Sequence, residues 1–200
     1  IELAQPAATG FDILVRIKSI SVNPVDYKIR QNVMPEDDKH KVLGWDAVGE
    51  VVAIGGSVSN FKPGDMVFYA GDLNRQGSNA EYQLVDERIV GNKPKSLSDS
   101  EAAALPLTAI TAWELLFERL EIKQQNPTSK EQSSDVILIV GAAGGVGSIL
   151  VQLAKVLTGA TVIATASRES SIKWVKKLGA DYVIDHSKPL LAQIEQLNIG

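Results

Sequence analysis

Residues 136–140, Val-Ile-Leu-Ile-Val, run directly into Gly141-Ala142-Ala143-Gly144-Gly145-Val146-Gly147, and a helical pattern follows. Strand, glycine turn, helix is the context in which a glycine pattern cradles phosphate. Small residues let backbone N–H groups approach a pyrophosphate, and the helix N-terminus adds partial positive charge. Ala143, Gly144, Gly145 and Val146 form the candidate cradle, and Gly147 would let the helix pack close to the strand. Ala142 takes the place of the first glycine in the commonest pattern. A site for a dinucleotide with a bare ribose usually places Asp or Glu about 20 residues on, at the end of the next strand. Here that end reads Ala164-Thr165-Ala166-Ser167-Arg168, with no acid. An arginine fork and a serine donor suit a 2′-phosphate, so NADPH is the expected cofactor. Glu169 stands close enough to leave NADH open, and the plain alternative is a capping Ser167 beside a solvated Arg168.

Other chemistries are narrowed by composition. There is no cysteine, which excludes disulfides, thiolate zinc sites, iron–sulfur clusters and thiol catalysis for this chain. Asp26, Asp46 and His40 do not make a zinc set. The 20 basic against 24 acidic residues leave a net charge of −4, unlike the basic face of a nucleic-acid binder. No apolar run approaches the roughly 18 residues of a membrane span, and no signal-peptide pattern opens the chain, so a cytoplasmic protein is expected. The chain starts at Ile1 without methionine and stops at Gly200 just after an amphipathic stretch, and it reads as a piece of a longer protein.

The elements that must position these residues differ along the chain. Residues 13–21 alternate apolar and polar, the period of a half-buried strand. Short strands over 47–54, 66–69 and 81–85, with a turn at Phe61-Lys62-Pro63-Gly64-Asp65, predict a barrel-like β domain. Ser98 and Glu101 have capping-box spacing, and helix is predicted over 102–107 and 109–120, interrupted at Pro106. Residues 124–134 are polar, include Pro127 and read as a loop. Strands at 136–140, 161–165 and 182–184 alternate with helices at 146–157, 169–178 and 190–197, which predicts a parallel sheet with crossover helices. The apolar run 136–140 predicts a strand buried on both faces.

Five ordered motifs carry a resemblance. They are Ser21-Val22-Asn23-Pro24-Val25-Asp26; Leu43-Gly44-Trp45-Asp46-Ala47-Val48-Gly49-Glu50-Val51-Val52 with Gly55 to Asp65; Asn79-Ala80-Glu81-Tyr82; Ala103-Ala104-Leu105-Pro106-Leu107 through Thr111-Ala112; and the glycine turn followed by Lys177-Leu178-Gly179-Ala180-Asp181. Through them the chain resembles the medium-chain dehydrogenase/reductase superfamily, in particular its quinone oxidoreductase branch. The resemblance implies an α/β protein, with an N-terminal β-rich, barrel-like (GroES-like) domain over 1–107 for substrate and catalysis. It implies a partial Rossmann-type parallel sheet over 108–200 for the dinucleotide. The zinc alcohol dehydrogenases of this superfamily carry a cysteine in the first motif and Gly-His-Glu in the second. Here the first has no cysteine and Trp45 replaces the histidine, so no metal is expected.

The resemblance also places residues. Asn23 and Thr111 match positions facing the nicotinamide; Gly144, Gly145 and Val146 match the pyrophosphate turn; Ser167, Arg168 and His186 fall at the adenosine end. Each has a plainer reading: Asn23 as a turn former before Pro24, Thr111 as a helix residue bonding to its own turn, His186 as a loop residue. The implied activity is NADPH-dependent, zinc-independent hydride transfer to a quinone or α,β-unsaturated carbonyl. Tyr27 and Asn23 are the nearest candidate donors to developing oxyanion charge, and Trp45, Tyr69 and Asn74 are candidates to line the substrate cleft. The alternatives are a zinc-dependent alcohol dehydrogenase and a dinucleotide-binding sensor or structural protein without turnover. The expected partners are a small-molecule substrate and, at full length, a second copy; nucleic acid and membrane are not expected. A piece of this length, with three of about six parallel strands, is expected to be nearly inactive by itself.

Overall fold

A computed structural model describes residues 1–35, 40–126 and 133–199, and these divide into two units, Ile1–Leu107 and Thr108–Gly200. In the first unit the alternating N-terminal stretch forms β1 (Asp12–Ile20), which pairs antiparallel with β2 (Ala47–Ile54) and with β4 (Tyr82–Asp86). β3 (Met66–Tyr69) joins β2, and the two-residue β5 (Gly91–Asn92) joins β3, giving the order β4-β1-β2-β3-β5. The sheet is open rather than a closed barrel. β4 and β5 are its edges, and two residues of β5 offer too short a ladder to close a ring. The alternation in β1 holds only past Val15. Ile13, Leu14 and Val15 are all buried, because Ile13 and Val15 enter a core with Val51, Phe61 and Val67 while α2 (Asp99–Ala103) packs on the sheet's other face.

Ser98 caps α2 as its spacing with Glu101 predicts: Ser98 Oγ accepts from the Glu101 N–H and the Glu101 carboxylate accepts from the Ser98 N–H. α2 ends at Ala103, however, and Pro106 opens α3 (Pro106–Trp113) instead of interrupting a helix, since proline at the first helical position gives up only an N–H that has no helical partner. α1 (Pro24–Asn32) lies in a stretch for which no helix is predicted. Its start is nonetheless encoded locally, with Pro24 in the first turn and Asp26 accepting from the Asn23 N–H at 2.8 Å.

In the second unit α3 continues into a π-helical stretch, Glu114–Arg119, wider than the predicted α-helix; the Leu120 N–H reaches the Leu115 carbonyl five residues back. β6 (Val136–Ile139), β7 (Thr161–Thr165) and β8 (Tyr182–Ile184) form a parallel sheet in the order β6-β7-β8. α4 (Gly145–Leu157), α5 (Glu169–Lys177) and α6 (Leu190–Gln196) alternate with them. Leu150, Val151 and Ala154 of α4 bury against Ile137, Ile139, Val162 and Ala164. β7 is buried on both faces, but β6 is not. Val136 and Leu138 remain 44% and 39% exposed, because α4 covers one face of this edge strand and nothing among the described residues covers the other. The predicted loop 124–134 lies partly outside the described residues, Pro127 included. No helix among the described residues is long and apolar enough to cross a membrane.

Candidate functional site

In the second unit the glycine turn leaves β6 through Gly141, whose φ of +70° suits glycine and whose N–H donates to Thr165 Oγ1 at 3.0 Å. The Gly144 N–H closes the turn on the Gly141 carbonyl at 2.9 Å. Gly144 is then the extended N-cap of α4, and no side chain among the described residues caps that helix. The N–H groups of the first turn of a 13-residue helix therefore receive no side-chain acceptor, at the positive end of its dipole. Ala143 and Val146 turn their side chains into the core, while Gly144 and Gly145 are exposed. Gly147 has a different task. A Cβ there would stand 2.5 Å from the Gly141 carbonyl oxygen and 2.6 Å from Ala142 Cα, so its hydrogen is what lets α4 sit against the turn. This arrangement fits a pyrophosphate, with negative charge drawn to the first N–H groups of α4.

At the end of β7, Thr165 and Ala166 are buried and Ser167 and Arg168 emerge into solvent. Arg168, not Ser167, occupies the N-cap of α5, in extended conformation and without a side-chain capping bond. His186, in the turn after β8, brings Nε2 to 3.4 Å from Ser167 Oγ. Glu169 is committed to Lys173 at 2.6 Å, and Arg168 forms no salt bridge among the described residues. Ser167, Arg168 and His186 thus stand at one end of the parallel sheet, and Glu169, the acid in the first turn of α5 that leaves NADH open, forms an exposed pair with Lys173. The sequence order sets Ser167 and Arg168 side by side; the approach of His186 to Ser167 depends on how β7 and β8 pair.

In the first unit the motif residues form a buried network. Asn23 Nδ2 donates to Asp46 Oδ2 at 2.8 Å, and the Leu107 N–H, in the first turn of α3, donates to Asp46 Oδ1 at 2.8 Å. Desolvation raises the Asp46 carboxyl to about 6; the Asn23 and Leu107 hydrogen bonds oppose that rise, and the neighbouring Asp26 adds to it. Asp26 Oδ1 is buried without a hydrogen-bond partner among the described residues. In the sequence Asp26 and Asp46 stand in two of the motifs and as an incomplete metal set; their link through Asn23 has no signal beyond those motifs. Tyr27 lies on the exposed side of α1.

Trp45 and Tyr69 do not line a cleft. Trp45 is fully buried, with Nε1 donating to the Asp72 carbonyl at 3.3 Å. Tyr69 is buried too, donating to Gln83 Oε1 at 2.9 Å, and burial pushes its phenol up. Tyr69 is a core side chain because its place on β3, paired with Ala47, turns it inward, and Trp45 is buried two residues ahead of β2. Asn74 does border a groove of about 1180 Å³, together with Met34, Leu73, Gln76 and Tyr82. Thr111 lies half-buried in α3, in the second unit.

The residues do not fit zinc. No group of three or more His, Cys, Asp or Glu side chains converges among the described residues. Asn23 turns a donor, not a lone pair, toward Asp46, and Trp45 is sealed in the core.

Comparison with known proteins follows the same two units. Residues 9–95 match the alcohol dehydrogenase GroES-like domain, and residues 145–199 match the zinc-binding dehydrogenase family. A zinc-type alcohol dehydrogenase-like protein of Staphylococcus aureus is 50% identical over 198 residues, which is 99% of this chain and 57% of that protein. A 2-methylene-furan-3-one reductase of Solanum lycopersicum is 38% identical over 196 residues, 93% of this chain and 47% of that protein. The Escherichia coli quinone oxidoreductase, solved in complex with NADPH, superposes with a TM-score of 0.78 at 29% identity, over 98% of this chain and 57% of that one. The chain spans about half the length of the curated relatives it matches.

Proposed function

The chain belongs to the medium-chain dehydrogenase/reductase superfamily, and from that premise we propose that the intact protein is an NADPH-dependent, zinc-independent oxidoreductase acting on quinones or α,β-unsaturated carbonyls. The observation that carries this reading is the end of the parallel sheet. The start of α4, uncapped by any side chain among the described residues, stands beside a β7 that ends in Ser167 and Arg168, with His186 alongside and no acid at the strand end. Residues 108–200 are the dinucleotide-binding domain in this proposal and residues 1–107 the substrate domain.

The N–H groups at Gly144, Gly145 and Val146 hold the pyrophosphate, and Ser167, Arg168 and His186 hold the adenosine phosphate. Asn23 and Thr111 face the nicotinamide. A bound reduced nicotinamide supplies a hydride, two electrons with one proton. The chain's part is to orient substrate, exclude water and stabilise the oxygen on which charge gathers until a proton arrives from solvent. The Asn23 amide and the hydroxyl of Tyr27 are the candidate donors for that role. The substrate class draws on the names of the furanone reductase and the quinone oxidoreductase. The zinc in other relatives' names has no matching ligand set among the described residues.

The test is NADPH and NADH oxidation by the intact protein across a panel of quinones, enones and aldehydes, repeated with Arg168→Ala. The variant should lose roughly 1–3 kcal/mol of NADPH affinity, the scale of one charge-assisted contact, and leave NADH nearly unchanged. Equal loss for both cofactors would sink the assignment of Arg168. Cofactor binding with no turnover on any substrate would replace the enzyme by a dinucleotide-binding protein.

A further inference from the structure

Asn23 carries an amide whose two ends are chemically opposite, and the side chain can work as a donor only if something decides which end points where. Its Nδ2 meets Asp46 Oδ2 at 2.8 Å in a buried setting. An ionised carboxylate only accepts, so the nitrogen must face it. The oxygen is left toward the first turn of α1, where Asn23 and Asp26 stand in a capping-box relation. The second Nδ2 hydrogen has no partner among the described residues. Asp46 Oδ1 is held by the Leu107 N–H, a backbone donor that cannot reverse, whereas the amide on Oδ2 can turn, so a proton on Asp46 is accommodated at Oδ2, the atom that faces Asn23. Once protonated, that oxygen becomes a donor, and the amide is favoured to turn over and offer its own oxygen instead.

We propose that ionised Asp46 is a positioning residue that locks the Asn23 amide with its free N–H toward the reacting oxygen, and that protonation of Asp46 releases this lock. The proposal rests on the reading of Asn23 as a nicotinamide-side donor. It takes the role that a metal ion has in zinc enzymes, stabilising the substrate oxygen, and gives it to a hydrogen bond. The titration falls near pH 6, where burial has raised the Asp46 carboxyl, and Asp26 on α1 is the charged group that raises it further. The Leu107 and Ser78 groups that touch the Asp46 residue are neutral.

The test uses the intact protein labelled with ¹⁵N-asparagine. The side-chain signal lost in Asn23→Ala should shift in the wild type with a midpoint near pH 6. It should stay fixed over that range in Asp46→Asn, and the midpoint should move down in Asp26→Asn. In turnover, kcat of the wild type should fall tenfold per pH unit below that midpoint. Asp46→Asn and Asn23→Ala should both lack this acid limb, and adding Asp46→Asn to Asn23→Ala should cost no more than twofold. A static Asn23 signal, or an acid limb that survives in both variants, would overturn the proposal. If Asp46→Asn fails to fold, the wild-type titration and the pH profile of Asn23→Ala decide. If no substrate turns over at any pH, the functional reading fails, and the amide titration still decides whether Asp46 sets Asn23.

Discussion

Replacing Gly147 by alanine tests the glycine turn with a single carbon. The added Cβ would lie 2.5 Å from the Gly141 carbonyl oxygen, 2.6 Å from Ala142 Cα and 2.8 Å from the Ala142 carbonyl carbon. Ordinary contact is about 3.5–4.0 Å, so the overlap is roughly 1 Å against backbone on a turn already closed by the Gly144–Gly141 hydrogen bond. No side-chain rotation relieves it. α4 must back away from β6, loosening Leu150, Val151 and Ala154 from the core they share with Ile137 and Ile139. Overpacking of this kind costs about 1–3 kcal/mol. The helix preference of alanine over glycine returns at most about 1 kcal/mol. Gly145→Ala is the control, because its Cβ would meet only the Thr108 methyl at 3.3 Å, a side-chain tip that can move by a few tenths of an ångström. Urea unfolding followed by circular dichroism should show a lower midpoint for Gly147→Ala and little change for Gly145→Ala, with NADPH affinity falling in the first as the turn is displaced. Equal midpoints for Gly147→Ala and wild type would refute the claim that this glycine sets the distance between α4 and the turn.

Further outcomes follow from the same geometry. Trp45→Ala should cost about 3–5 kcal/mol, the range for emptying a large aromatic core site; unchanged stability with an altered KM would return Trp45 to the substrate cleft. Metal analysis of the intact protein should find no stoichiometric zinc, and chelators should leave activity unchanged; one zinc per chain, lost with activity and restored with it, would contradict the ligand argument. The Asp46 carboxyl lies higher in the fold than its ordinary value of 3.8, at about 6. Its contribution to stability is therefore full below about pH 4 and is lost as pH rises through 6. Urea midpoints measured from pH 4 to pH 7 should show Asp46→Asn gaining on the wild type across that window, and parallel curves would remove Asp46 as the titrating group.

Much of the chain's local structure was legible because its signals act within a few residues. The glycine turn between β6 and α4, the Ser98–Glu101 capping box and the bounds of β2, β3, β7 and β8 follow from residue types and spacings that the backbone reads locally. The absence of an acid at the end of β7 is likewise a fact of order along the chain. The tertiary structure decided where distant segments meet. Asn23 finds Asp46 across 23 positions, Asp46 finds Leu107 across 61, and Ser167 finds His186 across 19. No periodicity encodes those separations, since they depend on strand order and on which helix start lands beside which loop. The same reason explains the corrections. Aromatic side chains at positions 45 and 69 look equally suited to a cleft or a core; the pairing of β2 with β3 turned Tyr69 inward, and Trp45 is buried in the stretch leading into β2. An apolar run such as 136–140 suits burial on both faces, but whether both are covered depends on neighbours, and β6 is the edge of the sheet that the described residues form.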